Sequence, residues 1–244
     1  MIINNFTTIE SIYGRFIVNR HCSHQAEHLI KTGVPHIHDE LRKILAIVAT
    51  LPAQAVVVDA GANIGLVSVP IAQALKEKQG TVYAFEVQRM LFNALCGSAA
   101  LNDLDNLKVF HRGLGSRKEI LKVPSPNYSK PQDFGIVSLV DQAAIKDGDI
   151  VDIMTIDSLK LPRLDFLKID VEGMEIDVLK GARQSLRSFH PWCWIEYWRS
   201  DKDLLRSQFD GLGYKLYLMD ELNIVAIPEE KFVELPLHLS APLF

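Results

Sequence analysis

From Ala55 onward the chain alternates short apolar runs with amphipathic helical patterns, and this alternation restricts the fold more than any other feature. Strands covered on both faces read as near-continuous apolar runs, and parallel neighbours need a crossover between them. Repeated βα units therefore predict an α/β fold with a mainly parallel sheet and helices on both faces. The runs fall at Ala55 to Asp59, Thr81 to Val87, Leu107 to His111, Asp165 to Asp170 and Pro191 to Trp198. Between the first two, a helix near Asn63 to Lys78 places Ile64, Val67, Ile71 and Leu75 inward, with Pro70 expected to remove a hydrogen bond and kink it. A second helix places Leu91, Ala94, Leu95 and Leu101 inward, a third runs from Met174 to Ser188, and a short one from Asp201 to Asp210. Two further strands, Tyr214 to Met219 and Asn223 to Ile227, are joined by Asp220-Glu221-Leu222. That link is too short for a parallel crossover and requires an antiparallel hairpin.

Ahead of the alternation, residues 1–53 read as a preamble packing on a core domain of residues 54–244. Ser11 to Asn19 has the character of a strand or hairpin. Asp39 to Thr50 is helical, with Leu41, Ile44, Leu45 and Val48 on one face, and Gly33 and Pro35 separate the two. Residues 118–140 interrupt the βα pattern just after the third strand. Rich in Pro and Gly around SPNYSKPQDFG, they read as two β segments forming a flap over the mouth of a site, not as a crossover helix.

The segment VVVDAGANIG, Val56 to Gly65, ends a buried strand in Asp59 and two glycines before a helix starts. Gly61 and Gly65 remove Cβ atoms where the chain turns and a ligand can lie against backbone, and this edge of a doubly wound sheet is its binding crevice. A dinucleotide fingerprint would read G-x-G-x-x-G, whereas here the pattern is D-x-G-x-N-x-G. A carboxylate beside a pyrophosphate is repulsive, while the ammonium and sulfonium of S-adenosylmethionine favour one, so Asp59 points to the sulfonium cofactor. The second strand ends YAFEV, which puts Glu86 where a carboxylate can accept hydrogen bonds from two ribose hydroxyls.

LKIDVEGMEIDVLKGA, Leu167 to Ala182, crowds Lys168, Asp170, Glu172 and Glu175 at the end of the fourth strand. Two readings stand side by side. Glu172 and Glu175 suit a helix N-terminus while Lys168 neutralises an acid, or Asp170 and Glu172 border a substrate region as catalytic carboxylates. Glu196 at the end of the fifth strand joins them as a third candidate, and His111 at the end of the third strand is a further candidate at the cofactor crevice. Five of the eight histidines, His21, His24, His28, His36 and His38, fall in the preamble. His24 and His28 have helical i, i+4 spacing, but no HExxH and no cysteine pair accompanies them, so no metal is expected. Cys22, Cys96 and Cys193 are odd in number and far apart, which suits a reducing compartment. The net charge of −4 lacks the positive excess that a nucleic-acid partner would favour. MIINNFTTIE lacks a secretory pattern and no apolar run is long enough for a bilayer, so a cytoplasmic protein without a membrane partner is expected.

Taken together, VVDAGANIG with Asp59, Gly61, Asn63 and Gly65, AFE with Glu86, TIDSL with Asp157, and LKIDVEGMEIDVLKGA resemble the FkbM family of S-adenosylmethionine-dependent methyltransferases. The resemblance runs from about Tyr13 to Ile227. It implies the class I, Rossmann-like fold of seven strands, with the last hairpin supplying the one antiparallel strand. The resemblance also implies S-adenosyl-L-methionine as cofactor and O-methylation of a small-molecule, sugar or natural-product hydroxyl. A non-catalytic cofactor-binding module of the same fold is the alternative. Val87 and Gln88 follow the second-strand acid where a proline is frequent in the family.

Overall fold

The computed structural model describes residues 4–23 and 25–234. The preamble opens with a hairpin of β1 (Phe6–Ser11) and β2 (Gly14–Asn19), closed by the Ile12-Tyr13 turn, so the strand character of Ser11 to Asn19 belongs to the turn and the second strand. α1 (Gln25–Thr32), which the sequence reading did not assign, and α2 (His38–Thr50) follow. The pairing of His24 with His28 lies outside the described residues, and His28 itself is exposed.

The core then runs β3 (Val56–Ala60), α3 (Ser68–Lys76), β4 (Thr81–Phe85), α4 (Arg89–Leu101) and β5 (Leu107–Phe110). α3 starts five residues later than expected because Asn63 (φ 51°) and Gly65 (φ 92°) are left-handed and cannot join a right-handed helix. Pro70 consequently sits in the first turn, where its missing N–H would have had no intrahelical partner, and the expected kink has no cause. Leu101, expected inward, lies in the last turn of α4 and is exposed.

After β5 come β6 (Gly113–Leu114), β7 (Glu119–Pro124) and β8 (Gly148–Met154), which form a separate three-stranded sheet in the order β6-β8-β7. The second β segment expected before Val140 is therefore not there. β7 pairs with residues 148–154, and the chain between them is irregular. β9 (Phe166–Ile169), α5 (Glu175–Lys180), α6 (Arg183–Phe189) and β10 (Trp192–Glu196) return to the main sheet. The single helix expected from Met174 to Ser188 breaks at Gly181, where a Cβ would stand 2.0 Å from the Gly115 carbonyl oxygen. α7 (Lys202–Ser207), β11 (Tyr214–Leu218) and β12 (Asn223–Pro228) complete the core.

The main sheet has seven strands in the order β5-β4-β3-β9-β10-β12-β11. β12 is antiparallel to both neighbours, and the pairings among β5, β4, β3, β9 and β10 are parallel. The hairpin turn is fastened by Asp220, whose Oδ1 accepts from the Leu222 and Asn223 N–H groups at 2.9 and 2.8 Å. Alternate side chains of each strand feed two cores. Val57, Val82, Phe166 and Trp194 pack with α2, α3, α4 and the β1-β2 hairpin, while Val58, Leu167, Ile169 and Ile195 pack with α5, α6 and α7. Because the chain moves outward from β3 to β5 and then returns to β9 on the other side of β3, the switch point lies at the carboxyl ends of β3 and β9. No helix among the described residues is long and apolar enough to cross a membrane.

Candidate active site

A cleft open to solvent occupies that edge. Gly61 after β3, Glu86 after β4, Arg112 and Gly113 after β5, and Asp170 and Glu172 after β9 all line it. These strands end at the same level, so four short peptide segments deliver their next residues to one place.

Gly61 turns at φ 83°, and a Cβ there would lie 1.7 Å from the Asp170 carbonyl oxygen. This glycine lets the turn after β3 press against the turn after β9. Gly65 has a different role: its Cβ would meet the Leu95 side chain at 2.3 Å, so it seats the turn on α4 and does not face the cleft. Between them the Asn63 N–H donates to Glu86 Oε2 at 2.8 Å, and the Gln88 N–H donates to Glu86 Oε1 at 2.7 Å. Glu86 is buried, and desolvation pushes it up to about 7, against the pull of those two backbone donors.

Asp59 is placed differently from the sequence reading. It is fully buried, accepts from Ser68 Oγ at 2.5 Å, and has Lys168 Nζ at 3.5 Å from its other oxygen. It thus fixes the turn from beneath and does not line the cleft. The carboxylates that follow β9 and line the cleft are Asp170 and Glu172. Lys168 is the hub below them: its Nζ donates to Asp170 Oδ2 at 3.1 Å and to the Gly61 carbonyl at 3.3 Å. Burial opposes its charge, yet Asp170, Asp59 and Glu40 outweigh that and hold the ammonium above the usual lysine range.

Asp170, Glu172 and Glu196 converge, with one oxygen of each within 4.8 Å of the others. Glu172 sits at φ 56° beside Gly173 at φ 105°, and Arg199 Nε is 3.0 Å from its Oε2. The contact is an ion pair without hydrogen-bond alignment, since that oxygen has no hydrogen-bond partner. Desolvation first and Asp170 second push Glu172 up to about 7. Glu196 is pushed up to about 9, by desolvation and then by Asp170. Glu175 takes the structural reading: it is buried and accepts from the Gly173 N–H at 2.9 Å and Ser200 Oγ at 2.6 Å.

His111 does not reach the cleft. Its ring stacks on Phe92 with centroids 5.2 Å apart, and Nε2 meets the Val87 carbonyl at 3.0 Å. The next residue, Arg112, takes the lining position. Its position one residue past the third strand was the available signal. Among the described residues His21, His28, His36 and His38 also lie away from the cleft lining. Gln88 was not foreseen as a tie. Buried, it donates from Nε2 to the Phe134 carbonyl at 2.7 Å and accepts from Tyr128 Oη at 3.1 Å, fastening the irregular segment whose Gly135, Val137 and Leu139 wall the cleft.

A seven-stranded sheet in this order, with β12 reversed and an acidic cleft at the switch point, defines the class I methyltransferase fold. The methyltransferase FkbM domain model matches residues 59–216, and the chain belongs to the FkbM methyltransferase family. It is 31% identical over 165 residues to "Methyltransferase sdnD" of Sordaria araneosa, the match covering 55% of this chain and 63% of that protein. A second relative, "Methyltransferase 1" of Beauveria bassiana (strain ARSEF 2860), is 27% identical over 153 residues, covering 55% and 61%. The matches thus span about six tenths of the length of these curated relatives. The crystal structure of methyltransferase FkbM from Methylobacillus flagellatus KT superposes with a TM-score of 0.51 at 20% identity, covering 72% of this chain and 44% of that one. A SAM-dependent methyltransferase from Agrobacterium tumefaciens gives 0.50 at 10% identity, covering 93% and 70%.

Proposed function

We propose that this chain transfers a methyl group from S-adenosylmethionine to a hydroxyl of a small-molecule, sugar or natural-product acceptor. The observation that carries this reading is the meeting, in one cleft, of the Glu86 carboxylate after β4 and the Asp170 and Glu172 carboxylates after β9. The donor set fits a nucleoside sulfonium. Glu86 is an acceptor whose oxygens each take one backbone N–H and retain lone-pair capacity, which suits ribose hydroxyls. Gly61 and the left-handed Asn63 shape the turn beside it, and Asp170 and Glu172 suit the positive end of the cofactor, the part first given to Asp59. Gly65 and Asp59 support that turn from behind.

When bound, S-adenosylmethionine supplies a methyl group on positive sulfur, already activated for displacement. The protein's share is alignment and exclusion of water, for which Val137, Leu139 and Met174 provide an apolar wall. As the acceptor oxygen forms its bond to carbon its proton must leave, and a carboxylate in the cleft takes it. The acidic lining disfavours a phosphate backbone as acceptor. Three free cysteines, two of them buried, fit a cytoplasmic setting.

The test is product analysis. Matched alcohols, amines, thiols and carboxylic acids are incubated with the protein and methyl-labelled S-adenosylmethionine. Label on the oxygen of the alcohols is the expected result. Label confined to amines, thiols or carboxylates would overturn the hydroxyl assignment.

A further inference from the structure

Three carboxylates that each bring an oxygen within 4.8 Å of the others cannot all carry charge at low cost in a partly buried setting; such groups share protons. The nearby cations are unevenly distributed. Lys168 Nζ lies 3.1 Å from Asp170 Oδ2 and Arg199 Nε lies 3.0 Å from Glu172 Oε2. Glu196 takes a neutral partner instead, its Oε2 accepting from the Trp198 indole N–H at 3.1 Å. Asp170 and Glu172 line the cleft, and Glu196 does not.

We propose that Glu196 is a protonated positioning residue that stands behind Asp170 and donates a hydrogen bond to it, so that Asp170, ion-paired with Lys168, is the charged carboxylate presented to the cleft. The groups surrounding Glu196 agree. Burial pushes it up to about 9, with Asp170 and then Glu172 acting in the same direction and Lys168 against it. On the α2 side stands Glu40, itself pushed up to about 7 by desolvation and bonded to the Trp194 indole N–H at 3.0 Å. On the β3 side Asp59 shares Lys168 with Asp170. Arg199, which follows β10, is engaged with Glu172 and lies over the Trp198 ring at 4.3 Å.

In methyl transfer, an acceptor oxygen lone pair forms the C–O bond, the C–S pair goes to sulfur, and the hydroxyl proton goes to Asp170. Glu196 keeps its own proton throughout and holds the receiving carboxylate in place. This role in turnover rests on the methyl-transfer reading; the distribution of protons in the resting protein does not.

Infrared spectroscopy of the intact protein at about pH 8, between the positions of Glu172 and Glu196, tests it without an acceptor. The parent should show a neutral carboxyl absorption that Glu196→Gln removes and Glu172→Gln leaves in place. Lys168→Met should add further neutral carboxyl absorption, because the buried acids around it lose their shared cation, and Lys168→Arg should remove that addition. If Lys168→Met does not fold, the two glutamine variants still decide. A parent without a neutral carboxyl, or one whose band survives Glu196→Gln and disappears in Glu172→Gln, would overturn the proposal. S-adenosylhomocysteine titrated into the same samples separates the two ideas. Binding without the band refutes the proton arrangement alone, and the band without binding refutes the cofactor reading alone.

Discussion

Gly61 and Gly211 share a left-handed backbone but differ in surroundings, and the pair separates conformational strain from collision. A Cβ at Gly61 meets the Asp170 carbonyl at 1.7 Å, whereas one at Gly211 (φ 69°) meets nothing within 4 Å. Gly211→Ala should cost about 1 kcal/mol, the left-handed penalty alone. Gly61→Ala must push backbone apart and should cost about 3 kcal/mol or more in urea unfolding. Equal losses would mean that the turns after β3 and β9 are not packed as described. The raised carboxyls carry a second consequence at this scale. Glu40, Glu86 and Glu172 at about 7 and Glu196 at about 9 all bind protons more tightly folded than unfolded. Their stabilisation is fully present below the ordinary glutamate range near pH 4 and is lost as pH rises through 7 to 9. The melting temperature of the ligand-free protein should therefore fall between about pH 6 and 9, and the fall should be shallower in Glu196→Gln. A rising or flat profile would contradict the buried acids.

Asp157 shows how one side chain sets an element boundary. Its carboxylate accepts from the Gln184 and Ser185 N–H groups at 2.9 and 2.8 Å, capping α6 just where Gly181 ends α5. Asp157→Ala should cost about 1–2 kcal/mol in the same unfolding assay, while Asp157→Asn should recover part of it. This cap was not legible in the sequence, because Asp157 is 27 residues away from Gln184 and helical periodicity runs through the break. The wall of the cleft is a comparable case. Residues 128–134 are held by Gln88, by Asn19 Nδ2 to the Tyr128 carbonyl at 2.9 Å, and by paired backbone bonds of Gln132 with His21 and Ser23. The preamble hairpin thus anchors a segment more than a hundred residues further on. Gln88→Leu should speed amide hydrogen exchange across residues 128–135 while leaving β3 and β4 unchanged. Unchanged exchange in that segment would show that the hairpin alone holds it.

Strand positions followed from apolar runs, which record burial on two faces directly, and the antiparallel pairing of β11 with β12 followed from a link too short to cross over, whereas the order of the strands came only with the structure. Lys168 and Asp59 were legible as residues but not as a buried pair, since nothing in a linear sequence says which of several acids lies under the turn and which lies above it. Arg112 and Gln88 escaped because a polar residue past a strand end reads the same whether it faces solvent or a cleft. What the molecule as a whole rests on is the assignment of that cleft to the methyl donor. Isothermal titration of S-adenosylhomocysteine into the parent and Glu86→Ala is the most direct measurement. Binding by the parent and a loss of at least about fivefold in Glu86→Ala are expected, on the order of 1 kcal/mol for one charge-assisted contact. A parent that does not bind, or a Glu86→Ala protein that binds as tightly as the parent, would contradict that assignment.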